Sequence, residues 1–131
     1  MKRIYLLNPD AIEEFNKKVK IYNKLLAKKY FSGKENDKEL EKNIKECKYY
    51  IGELLKENTF DYLDDVDISE IKDKFHEENT IRELLNRSYL NNEQVELLIN
   101  KLKEEKEDYS KLISFLRISI KKNFALVMFY E

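Results

Sequence analysis

Residues 92–122 read NEQVELLINKLKEEKEDYSKLISFLRISIKK. Val95, Leu98, Leu102, Tyr109, Leu112, Leu116 and Ile120 recur there at spacings of three, four and seven, which gathers them on one side of a 3.6-residue helix. No Pro or Gly interrupts the run, so it predicts one helix of about 45 Å, at about 1.5 Å per residue. Asn91 or Asn92 can cap it, and Gln94 stands three residues after Asn91 as in a capping box. The weak point is Lys103 to Asp108, six charged residues in a row with Glu105 where an apolar residue is due. Here the helix either projects beyond the core or breaks and restarts at Asp108.

The rest of the chain must pack against this stretch. In 131 residues, Gly and Pro together number three (two and one), while 39% of residues are charged. Residues that end elements are scarce, so long helices and few tight turns are expected. The length fits one domain, 1–131, able to bury a core without covalent staples. Cys47 is the single cysteine, which excludes an intrachain disulfide and suits a reducing compartment. The apolar start Ile4–Leu7 stops at Asn8-Pro9-Asp10, short of an export signal. The longest apolar run, Phe124–Tyr130, is far below the roughly 20 residues that span a bilayer. A cytoplasmic chain with no membrane association is expected.

Three further helical regions are predicted. In 9–31, Ile12, Phe15, Val19, Tyr22 and Leu26 repeat at three and four, with Asn8-Pro9 as the start and Ser32-Gly33 as the stop. In 37–57, Leu40, Ile44, Cys47, Ile51 and Leu54 repeat likewise, with Asn36 or Asp37 as cap and Asn58 as end. Gly52 interrupts this helix at a cost of about 1 kcal/mol relative to Ala. It is either a site of close approach or a tolerated weak spot. In 68–90, Asp67 with Glu70 and Thr80 with Glu83 read as capping boxes for two short helices. Arg3–Leu7 and Ala125–Tyr130 could form one short strand pair, which alone is marginal. The fold class expected is all-α: a compact bundle of four to five helices with a long C-terminal helix and at most that strand pair. A homodimer could form through the exposed part of the last helix.

Catalysis and metal binding find little footing. His76 is the only histidine, so a His-rich metal site or a His-based triad lacks its parts. Cys47 falls on an apolar stripe, where a buried inert thiol is the ordinary case. Gly33 and Gly52 are the only glycines, and neither belongs to a phosphate-cradling loop. If Asp65, Asp67 and Ser69 opened an EF-hand loop, Glu70 would stand where Gly is needed and His76 where Glu is needed. The expectation is a non-enzyme with no cofactor and no metal.

Charge is more telling. The net charge is −1, yet Met1–Lys34 holds nine basic and three acidic residues, and Thr59–Glu83 holds three basic and nine acidic. Lys17, Lys20, Lys24 and Lys28 form one row on the first helix. Such a row could track phosphates, with Tyr22 or Tyr30 stacking on bases, or could simply coat a solvated face. Thr59–Asp67, read as an irregular loop, interleaves Phe60, Tyr62, Leu63 and Val66 with Asp61, Asp64, Asp65 and Asp67. Either its apolar members fold into the core, or it presents acid and aromatic groups to a basic partner.

The function expected is therefore that of a small helical protein-binding module: an inhibitor, adaptor or assembly subunit. Small inhibitors carried by phages and other mobile elements are of this type. Tyr62, Asp64, Asp65 and Asp67 would contact a protein partner with a basic surface. The alternative is nucleic-acid binding through Lys17, Lys20, Lys24 and Lys28.

Overall fold

The computed structural model describes residues 2–31, 33, 37–63, 68–75, 79–105 and 108–130. The elements in chain order are β1 (Lys2–Leu7), α1 (Ile12–Phe31), α2 (Lys38–Asn58), β2 (Thr59–Leu63), α3 (Ile68–Lys74), α4 (Asn79–Asn86), β3 (Tyr89–Leu90), α5 (Asn92–Lys103), α6 (Ser110–Lys122) and β4 (Ala125–Tyr130). Helix dominates, but the all-α expectation fails. The four strands form one antiparallel sheet in the order β2-β1-β4-β3. The chain divides into two compact units, Met1–Pro9 with Thr59–Glu131, and Asp10–Asn58. Among the described residues, no helix is long and apolar enough to cross a membrane.

In the first unit β1 and β4 pair along their whole length, from Lys2 opposite Tyr130 to Leu7 opposite Ala125. Ile4, Leu6, Leu126 and Met128 alternate onto one face. They join a single core with Ile68, Ile71 and Phe75, with Ile81, Leu84 and Leu85 from α4, and with the apolar stripes of α5 and α6. The intervening residues Tyr5, Leu7, Val127 and Phe129 are buried as well. Burial on both faces explains why Ala125–Phe129 is continuously apolar and gives no alternation to read.

The 92–122 stretch is two helices, not one. Asn91 caps α5 by the expected box: Gln94 N donates to Asn91 Oδ1 (2.9 Å), and Asn91 N donates to Gln94 Oε1 (3.0 Å). The chain leaves the helix after Lys103, and Ser110 N donates to Asp108 Oδ1 (2.9 Å) where α6 starts. A one-helix path would have kept Glu105 on the apolar stripe. The break leaves it exposed instead and lets α5 and α6 both bury their stripes. Asn123 ends α6 in the left-handed region (φ 55°), a conformation Asn tolerates. Ser119 is fully buried; its hydroxyl donates to Phe124 O (2.9 Å), and Phe124 N donates to Ser119 O (3.0 Å).

In the second unit α1 and α2 pack on each other, and Lys29 pairs with Glu41 (3.6 Å) between them. Pro9 opens a 3₁₀ turn, Pro9–Ala11, that leads into α1. Asp37 caps α2, its Oδ1 accepting from Glu39 N and Leu40 N at 3.1 Å each. Asn58 ends it, with Nδ2 donating to Leu54 O (2.9 Å). Phe15, Val19 and Ile51 are buried as expected, whereas Ile12, Tyr22, Ile44 and Cys47 are only half-buried. A Cβ placed on Gly52 would meet no atom within 4 Å, so the close-approach reading of that glycine is wrong. Thr80 is the second residue of α4.

Candidate functional site

The segment predicted as a loop begins with a strand. Thr59, Phe60 and Tyr62 are β-branched or aromatic, the residue types that suit a pleated surface. Tyr62 pairs with Tyr5 and Leu63 with Ile4, which makes β2 the outermost strand beside β1. Between Leu6 and Leu7 the register advances one residue on β1 but two on β2, from Asp61 to Thr59. Phe60 is the extra residue of that bulge, and bulges re-aim side chains. The bulge and the edge position together leave Phe60, Asp61 and Tyr62 all exposed, so no period of two appears in the sequence.

Phe60 and Tyr62 are 55% and 50% exposed, yet neither ring hangs loose. Phe60 stacks on Phe124 (centroids 4.7 Å apart, planes at 16°), and Lys122 Nζ lies 4.7 Å from its centroid. Tyr62 lies 6.1 Å from Tyr5, and the Arg3 guanidinium sits 5.6 Å from its centroid. Contacts of both kinds contribute about 0.5–1.5 kcal/mol each, enough to fix ring orientation while half of each ring faces water. Between the rings, Asp61 Oδ1 accepts from Tyr62 N at 2.8 Å. One backbone donor of the edge is thus occupied by a neighbouring carboxylate. The Thr59 hydroxyl is buried with no hydrogen-bond partner among the described residues.

Of the predicted contact residues, Tyr62 therefore lies on β2, while Asp64, Asp65 and Asp67 lie outside the described residues. Phe60 and Asp61 belong to the stretch singled out in the sequence but not to its named contact residues, and Arg3, Lys122 and Phe124, which lie against the two exposed rings, were not foreseen. The signal that could have found the strand is the run Thr59-Phe60-Asp61-Tyr62-Leu63 itself, with β-forming residue types outweighing one Asp.

The lysine row is on α1 and all four of its members, Lys17, Lys20, Lys24 and Lys28, are exposed. The two tyrosines suggested as stacking partners do not serve it. Tyr22 is half-buried, and burial, then the nearby Cys47 and Tyr30, push its hydroxyl pKa up. Tyr30 is exposed but engaged by Lys29 Nζ, 5.5 Å from its centroid.

Cys47 lies in a shallow groove of the second unit beside Lys18, Ile21, Leu25 and Tyr50. Its Sγ donates to Lys18 O (3.6 Å), and burial pushes the thiol's pKa up despite the opposing pull of the Lys18 charge. That is the environment of an unreactive thiol. Among the described residues, no group of three or more His, Cys, Asp or Glu side chains could hold a metal ion, and His76 lies outside them. No protein-family model, curated protein or solved structure matches this chain.

Proposed function

We propose that this chain is a small protein-binding module, acting as an inhibitor, adaptor or assembly subunit, with β2 as its contact surface. The observation that carries this reading is the pair of half-exposed, orientationally fixed rings, Phe60 and Tyr62, on the outermost strand of the sheet. Held aromatic side chains supply contact area at low entropic cost, which is why such residues dominate binding hot spots. An outer strand also offers unpaired backbone groups, to which an extended segment of a partner can add as a further strand.

Charge narrows the partner. Thr59–Asp67 contains four Asp and no Lys or Arg. In an antiparallel self-pair centred on β2, Asp61 would face its own copy, and like charges directly opposite are destabilising. A strand carrying Lys or Arg opposite Asp61 would gain what self-pairing loses, and could replace the carboxylate at Tyr62 N. The partner is thus a protein with a basic surface, engaged through an extended segment.

The test compares three immobilised baits, wild type, Tyr62→Ala and Asp61→Lys, in extract from the cells the protein comes from. Circular dichroism establishes that all three are folded. A stoichiometric, basic partner retained by wild type and lost by both variants supports the proposal. A partner set that is unchanged by both substitutions refutes it.

A further inference from the structure

We propose that the exposed face of α1 is a separate binding surface for single-stranded nucleic acid, with the lysine row following the phosphates and Phe31 stacking on a base. Lys17, Lys20, Lys24 and Lys28 advance by three, four and four residues, or about 4.5, 6 and 6 Å along the axis at 1.5 Å per residue. Steps of that size suit successive phosphates of an extended strand. Phe31 follows Lys28 by three residues and so continues the same row. It is 88% exposed, and among the described residues its ring has no aromatic or cationic partner.

The neighbouring lysines show that pairing was available on this helix. Lys18 pairs with Glu14 (3.6 Å) and lies 5.6 Å from the Tyr50 centroid. Lys29 pairs with Glu41 (3.6 Å) and lies against Tyr30. No carboxylate among the described residues pairs with any of the four lysines of the row. Asp10, Glu13 and Glu14 lie at the N-terminal end of α1 and bound the cationic stretch there, so it runs from Lys17 to Phe31. The chain's net charge of −1 supplies no general attraction, which makes any binding local to this face.

Phe31 selects among polyanions. A duplex offers only its phosphates to such a face, because its bases are stacked away, whereas a single strand offers base faces for stacking. An anionic membrane would need a broad apolar face beside the cations. Among the described residues of α1, only Ile21 and Tyr30 are exposed large apolar residues before Phe31, nine positions apart and so on different sides of the helix, and Phe15 and Val19 are buried.

The experiment is fluorescence anisotropy with a labelled oligothymidylate of about 12 nucleotides, within the usual site sizes, from low to physiological salt. Four phosphate contacts predict a log–log salt slope of about −2.8, at about −0.7 per contact on a single strand. Lys20→Glu with Lys24→Glu should halve the slope and weaken binding at least tenfold. Phe31→Ala should weaken binding about fivefold or more and leave the slope unchanged, as expected for stacking. Lys103→Glu, an exposed site on α5, reverses a single charge elsewhere and should have little effect. Circular dichroism checks that each variant is folded. Absence of binding by wild type at low salt overturns the proposal. So does equal loss with Lys103→Glu, or binding to phosphatidylserine vesicles without binding to the oligonucleotide.

Discussion

Replacing Gly52 by alanine should stabilise the protein, and replacing Gly33 by alanine should do the opposite. Added Cβ atoms meet nothing within 4 Å at either site, so packing contributes to neither change and only the backbone decides. Gly52 lies inside α2, where alanine exceeds glycine by about 0.8–1.0 kcal/mol in helix propensity. Gly33 has φ +67° just beyond the end of α1. A Cβ there costs about 1–2 kcal/mol. Urea unfolding followed by circular dichroism at 222 nm reads both. With a slope of about 1–3 kcal/mol/M, Gly52→Ala should raise the midpoint by roughly 0.3–1 M, and Gly33→Ala should lower it by a similar or larger amount. A fall in midpoint for Gly52→Ala would mean that another group closes on α2 at that point. A neutral Gly33→Ala would mean that the left-handed turn is not held in solution.

Three other perturbations follow from particular contacts. Ser119→Ala removes the buried hydroxyl that donates to Phe124 O and should cost about 1–3 kcal/mol, whereas Ser114→Ala, at an exposed site on the same helix, should stay within about 0.5 kcal/mol. Cys47 should react with a disulfide reagent at pH 8 more slowly than a free thiol and reach the free rate in urea. Burial raises its folded pKa, so support for the fold is present below the unfolded value of about 8.5 and is lost as pH rises through the folded one. Asp108 behaves oppositely. The hydrogen bonds from the Ser110 hydroxyl and backbone hold its carboxyl pKa down, so its support exists above the unfolded carboxylate range and disappears as pH falls through the lowered value. Asp108→Asn should therefore flatten the acid limb of a stability–pH profile, a change that the same unfolding assay detects.

What the sequence made legible is what repeats or caps. Phe15, Val19 and Ile51 followed from helical spacing, and the caps at Asp37 and Asn91 and the stop at Asn58 followed from side-chain chemistry. Of the sheet, the pair Arg3–Leu7 and Ala125–Tyr130 was legible and forms as β1 with β4. The other two strands were obscured: β3 is two residues long, and β2 carries a bulge at the sheet's edge. The break at Lys103–Asp108 was visible as charge, but choosing between a projecting helix and a restart required the Asp108–Ser110 hydrogen bond. At the candidate site, Tyr62 was singled out because acid beside aromatics is unusual in a loop. Phe60 and Asp61 were not named as candidate contacts because their exposure comes from the bulge and the outer position of β2, which depend on pairing with β1.

The most direct test of β2 as a strand-accepting, acid-bearing edge is an amide chemical-shift titration of the ¹⁵N-labelled protein. The probe is a soluble extended peptide that alternates Lys with Val or Thr. Shifts concentrated at Phe60, Asp61, Tyr62 and Leu63, weakened by salt and abolished by Asp61→Lys, are the expected result. Unchanged amides along β2 at saturating peptide, or shifts confined to the helices, would contradict it.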